Sequence, residues 1–170
     1  MRTAVYAGTF DPITRGHLSV IERAARLFDR ILVVVALNPS KRPLFSVEER
    51  AQMIREVTRP WPNVECTQTD GYVVELARAH EARYLIRGVR SCTDVEGELA
   101  LANVNHELAP DIETVFIPAH PELSEVSSSR LKELTVQGMD ITGYCPPEIA
   151  ARLRERVKAS PLPASEAVHV

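Results

Sequence analysis

Apolar positions along the chain alternate between two periods. Arg2 to Ala7 is a short β-prone run, and from His17 the apolar residues Leu18, Ile21, Ala25 and Phe28 recur at helical spacing. Ile31 to Leu37, ILVVVAL, is an unbroken apolar run of strand length, the pattern of a strand buried on both faces. After a proline-containing loop, Ser46 and Glu49 form a capping-box pattern that opens a helix through Met53, Ile54 and Val57. The alternation then continues: a strand over Asn63 to Thr67, a helix over Val73 to Ala82, a very short strand over Tyr84 to Ile86, and a long helical pattern from Asp94 to Leu108. Thr114 to Ile117 reads as a fifth strand and Ser127 to Gln137 as a helix stopped by Gly138. Pro146 and Pro147 suit the first turn of a last helix reaching about Lys158.

Strands alternating with helices imply βαβ units, because parallel strands need the long crossovers that helices supply. The expectation is a single Rossmann-like α/β domain over residues 1–158, a five-stranded, mainly parallel sheet with helices on both faces and a C-terminal helix. Residues 159–170, rich in Pro, Ser and Ala, are expected to be a disordered tail. In such sheets ligands bind outside the carboxyl ends of the strands. The polar clusters follow this rule: GTFDPITRGH comes after the first strand, NPSKRPLF after the second, RGVR after the fourth and PAHPELSEVSSS after the fifth.

Composition narrows the partners. At 170 residues, with 45% hydrophobic and 25% charged residues, the chain has the balance of a globular domain. No apolar run approaches the ~20 residues of a membrane span, and MRTAVYAG lacks the apolar stretch of a signal peptide, so a cytoplasmic location without membrane contact is expected. A net charge of −3 gives no overall attraction to nucleic acid, so any anion site must be local. The loop cations to watch are Lys41, Arg42, Arg87 and Arg90. Cys66, Cys92 and Cys145 are too widely spaced for a C-x-x-C pair and read as reduced thiols. No His, Cys, Asp and Glu set has metal-ligand spacing.

The densest chemistry lies in GTFDPITRGH. Two of the chain's seven glycines and Asp11-Pro12 shape a turn after the first strand, and His17 follows where a helix begins, beside free backbone N–H groups that favour a phosphate. The run Ser127, Ser128 and Ser129 opens a second helix with hydroxyls and free N–H groups. A cap needs only one serine.

GTFDPITRGH resembles the T/HxGH signature of the nucleotidyltransferase superfamily, and the ordered set GTFDPITRGH, NPSKRPLF, IRGVR and SSSRLKE is similar to the phosphopantetheine adenylyltransferase family from about Thr3 to Lys158. The resemblance implies transfer of the adenylyl group of ATP to 4'-phosphopantetheine, with Mg²⁺ held mainly by the ATP phosphates. It also implies a homohexamer and makes coenzyme A a candidate feedback ligand. By the same resemblance Thr9 orients the incoming phosphate and touches the nucleotide together with Phe10, while His17 donates to the α-phosphate. Lys41 and Arg87 hold the phosphopantetheine phosphate, and Val73 contacts the pantetheine arm. Gly88, Val89, Arg90 and Glu98 belong to the ATP side, as does the segment Leu123, Ser124, Glu125, Val126, Ser127, Ser128 and Ser129. Ala7, Val95, Gly97 and Leu123 depart from residues common in that family and bear on the shape of the nucleotide pocket. Other nucleotidyltransferases, such as those making NAD or a CDP-alcohol, share the T/HxGH chemistry and differ in the acceptor.

Overall fold

Five strands form one sheet in the order β3-β2-β1-β4-β5. They are β1 (Thr3–Gly8), β2 (Arg30–Ala36), β3 (Val64–Thr69), β4 (Tyr84–Val89) and β5 (Glu113–Pro118). All four pairings are parallel. The computed structural model describes residues 1–37 and 42–159, so Lys41 and all but the first residue of the expected tail lie outside the described residues. The helices are α1 (Arg15–Leu27), α2 (Val47–Val57), α3 (Val73–Ala79), α4 (Cys92–Leu108), α5 (Ser128–Val136) and α6 (Pro147–Ala159), with a 3₁₀ turn at Pro121–Leu123.

The side-chain alternation of the strands divides the core into two layers. Ala4, Tyr6, Ile31, Val33, Val35 and Ile86 face one layer with α1, α2, α5 and α6. Val5, Leu32, Val34 and Leu85 face the other, where Val74 and Ala77 of α3 cover them. The unbroken run of β2 is thereby explained: Ile31 to Val35 are all essentially inaccessible because both faces are packed. At α2 the Ser46 hydroxyl accepts from Glu49 N–H while the Glu49 carboxylate accepts from Ser46 N–H, the reciprocal cap read from the sequence.

Several boundaries move. β4 continues past Ile86 to Val89, because Arg87, Gly88 and Val89 stay in register with Phe116, Ile117 and Pro118 of β5. RGVR is therefore a strand end, not a loop after one. α3 stops at Ala79 rather than Ala82, where Glu81 takes a left-handed φ of 55°. α4 carries no stripe: none of its residues is buried, and Leu99, Leu101, Val104 and Leu108 are exposed.

Candidate active site

The strand order reverses between β1 and β4, and the carboxyl ends of these two strands open onto a cavity of about 240 Å³. Its floor is apolar and narrow. Gly88 lies under α1, where an added Cβ would stand 3.1 Å from Val20 Cγ2 and 3.5 Å from the Tyr6 hydroxyl. Tyr6 is 6% exposed, and it lines the cavity. Burial holds that phenol well above its ordinary pKa, so it is a neutral hydroxyl at the cavity.

The loop after β1 is fixed from below. Phe10 takes a left-handed φ of 48°, and its buried ring packs edge-on against Tyr6 and His17, with centroids 5.4 and 5.0 Å away. The Asp11 carboxylate, almost wholly buried, accepts from Leu44 N–H and Phe45 N–H at 2.9 Å each and from Lys132 Nζ at 3.2 Å. Arg50, 4% exposed, donates to the carbonyls of Thr9, Phe45 and Ser46. These contacts tie the first loop to the loop after β2 and to α5.

His17 is not the first helical residue but the third. Thr14 caps α1, and the imidazole does what a Glu does in an ordinary capping box: Nδ1 accepts from Thr14 N–H at 3.1 Å. With Nδ1 an acceptor, the proton of the neutral ring sits on Nε2, which has no protein partner among the described residues. Burial, with the Arg90 guanidinium nearby, pulls the His17 pKa from 6.5 down to about 4. The cavity thus receives a neutral N–H donor.

Opposite His17 stands the start of α5. Ser127 caps the helix through Arg130 N–H, and the Ser128 hydroxyl donates to Pro12 O at 2.8 Å. The serine run is thus partly spent on capping and docking. What α5 offers to a ligand is its first-turn N–H groups.

On the β4 side, the two arginines are engaged. Arg87 meets Glu98 through Nε and through Nη2 at 2.9 Å to Oε1, and its Nη1 donates to Ala7 O at 3.2 Å. Arg90 pairs with Asp94 at 2.9 Å. A second cavity of about 460 Å³ shares Ala7 and Arg87 with the first and is otherwise bounded by residues including Val73, Tyr72, Leu101 and Asn105.

Of the residues expected from sequence, the first cavity brings together Phe10, His17, Arg87, Gly88, Val89, Arg90, Glu98, Val126, Ser127 and Ser128. Val73 lies on the second. Thr9, Leu123, Ser124, Glu125 and Ser129 do not line the first cavity; the Thr9 carbonyl instead accepts from Arg50 at 2.8 Å. Tyr6 and Asp94 line it and were not anticipated. The signal for Tyr6 was its place two residues before Gly8 on the same face of β1. For Asp94 it was the spacing of four from Arg90.

A parallel sheet with a cavity at its switch point, lined by two carboxylate-paired arginines, the His17 ring and the first turn of α5, defines a Rossmann-like protein with hydrogen-bond donors gathered for a ligand. The cytidylyltransferase-like family matches residues 5–134. A phosphopantetheine adenylyltransferase of Carboxydothermus hydrogenoformans is 46% identical over 156 residues, 92% of this chain and 96% of that one. Another from Caldanaerobacter subterraneus subsp. tengcongensis is 44% identical over 160 residues, 94% of this chain and all of that one. Among solved structures, a candidate nicotinate-nucleotide adenylyltransferase from Vibrio parahaemolyticus superposes with a TM-score of 0.65 at 19% identity, covering 94% of this chain and 93% of that one. It shares the fold. The chain belongs to the phosphopantetheine adenylyltransferase family, within the cytidylyltransferase-like proteins.

Proposed function

We propose that this chain transfers the adenylyl group of ATP to 4'-phosphopantetheine, releasing pyrophosphate and forming dephospho-coenzyme A. The observation that carries this reading is the meeting of His17, the α5 N-terminus, Arg87 and Arg90 around one cavity, in a member of this family. An acceptor phosphate monoester has its second pKa near ~6 and is largely dianionic at neutral pH, so no general base is required. The task is to bring two anions into line and stabilise charge at the α-phosphorus. An acceptor oxygen attacks the α-phosphorus as the bond to the pyrophosphate oxygen breaks, with no covalent enzyme intermediate.

In this reading His17 Nε2–H donates to the α-phosphate, and the α5 N-terminus with Ser127, Ser128 and Ser129 takes the β- and γ-phosphates. Gly88, Val89 and Arg90 border the nucleotide, with Phe10, Val126 and the turn of Leu123, Ser124 and Glu125 beyond it. Arg87, with Thr9 and Lys41, holds the acceptor phosphate. The arm then enters the second cavity past Val73. Among the described residues no group of three or more His, Cys, Asp or Glu side chains could hold a metal. Mg²⁺ fits this site as the companion of the nucleotide, held by phosphate oxygens and water, where it would neutralise charge on the leaving pyrophosphate.

Coenzyme A carries the same arm and would compete for the second cavity. The exposed apolar residues Leu99, Leu101, Val104 and Leu108 of α4 support assembly of copies, here a homohexamer. No helix among the described residues is long and apolar enough to cross a membrane, and we place the enzyme in the cytoplasm with no nucleic-acid partner. The test is pyrophosphate release from ATP and Mg²⁺ on adding 4'-phosphopantetheine. Release is expected with this acceptor; equal or greater release with nicotinamide mononucleotide would reject it.

A further inference from the structure

We propose that Arg50, which lies outside the four sequence motifs, is a positioning residue for the reaction: its guanidinium sets the orientation of the Thr9–Phe10 peptide and so aims the Phe10 N–H at the first cavity. This rests on the proposed function and adds one residue to it. Arg50 stands in the first turn of α2 and is 4% exposed. Its Nη1 donates to Thr9 O at 2.8 Å, and its Nε donates to Phe45 O at 3.1 Å and to Ser46 O at 3.3 Å. One rigid fork thus joins the loop after β1 to the entry of α2.

The peptide between Thr9 and Phe10 is planar and trans, so its N–H points opposite to its carbonyl. The carbonyl is turned toward the buried guanidinium. The N–H therefore faces away from α2, and Phe10 itself lines the first cavity. Phe10 also holds a left-handed φ of 48°, a conformation that a residue with a Cβ keeps only where its surroundings impose it. Its ring is fixed on one side by Tyr6 and His17, and Arg50 fixes the preceding peptide on the other. Release of the Thr9 carbonyl would let that peptide turn and carry the N–H out of line.

Stability alone does not call for a guanidinium here. A buried charge is expensive to desolvate, and a well-packed apolar replacement is often no less stable. Burial lowers the Arg50 pKa, opposed mainly by Asp11, and the Asp11 carboxylate is already bound by Leu44 N–H, Phe45 N–H and Lys132. What an apolar chain cannot do is hold carbonyls of two loops in one plane.

The experiment follows the intact protein labelled with ¹⁵N-phenylalanine, whose four amide signals include Phe10, assigned by its loss in Phe10→Leu. In the wild type the Phe10 signal is expected to move when ATP and Mg²⁺ are added without an acceptor. In Arg50→Lys, which keeps the charge but not the fork, that signal should already be displaced in the free protein and should respond less to ATP. Steady-state pyrophosphate release should show kcat/KM for ATP about tenfold lower in Arg50→Lys, with KM for 4'-phosphopantetheine changed less than about twofold. Ile112→Val, which removes a methyl group from the other core layer, gives the effect of lost stability alone. Arg50→Gln replaces Arg50→Lys if melting curves show the latter unfolded at the assay temperature. A wild-type Phe10 amide unmoved by ATP, a Phe10 signal in the Arg50 variant that matches wild type, or a kcat/KM for ATP within about twofold of Ile112→Val overturns the inference. Absence of acceptor-dependent turnover in the wild type would instead overturn the proposed function, since the amide measurement needs only ATP.

Discussion

Lowering the pH to 5 should leave the His17 ring uncharged. An imidazole at its ordinary pKa of 6.5 is almost fully protonated at that pH, but with the value pulled to about 4 only about a tenth of His17 carries a charge. The cause is geometric: Nδ1 is occupied by Thr14 N–H, and a second proton would have to enter against burial and the nearby Arg90. The sign for stability follows. Between pH 6.5 and about 4 the unfolded chain takes up a proton at this site that the folded chain does not, so the contribution of His17 falls as pH falls and levels off below the folded value. The full span corresponds to at most ~3.4 kcal/mol, an upper bound because the ring is only partly buried. Histidine-selective ¹⁵N spectra of the intact protein, assigned with a His17→Gln variant among the five histidines, read both quantities at once. The expected spectrum shows a neutral ring protonated at Nε2, unchanged from pH 8 to about 5. A titration midpoint between 6 and 7, or a proton on Nδ1, would refute the reasoning and with it the donor role of Nε2.

Other perturbations test the frame around the cavity. Asp11→Asn keeps the shape but sets an amide N–H₂ against either Leu44 N–H or Phe45 N–H and leaves Lys132 without its anion. Chemical denaturation should show a loss of about 2–4 kcal/mol, and a loss below about 1 would contradict the network. Gly88→Ala drives a methyl to 3.1 Å from Val20 Cγ2 at the cavity floor. It should cost about 1–2 kcal/mol and raise KM for ATP; an unchanged KM would show that the floor does not meet the nucleotide. Gly97 sits in the interior of α4 with nothing within 4 Å of an added Cβ. Gly97→Ala should therefore raise the melting temperature, by the equivalent of about 0.5–1 kcal/mol, and a lower one would mean that a second copy fills that space.

What the sequence made legible was whatever backbone periodicity controls. β2 was readable because burial on both faces writes an uninterrupted apolar run, and α2 because its reciprocal cap needs only residues three apart. β4 was cut short at Ile86 because its last residues face a cavity, and a strand end that serves a ligand looks like a loop to any rule built on hydrophobicity. The remaining gaps share another cause. Asp11 joins residues 33, 34 and 121 positions away, and no local pattern encodes such a reach. His17 was visible as a helix-start residue, yet its tautomer depends on which N–H meets Nδ1. Glu98 shows the limit most sharply. On its own helix it is one polar residue on an element without a buried face, and only the continuation of β4 to Val89 brings Arg87 opposite it. The boundary that sequence misplaced and the pairing it could not foresee are one physical fact: the backbone ladder to β5 carries a cation one step past the apolar core, and a carboxylate from the next helix is there to hold it.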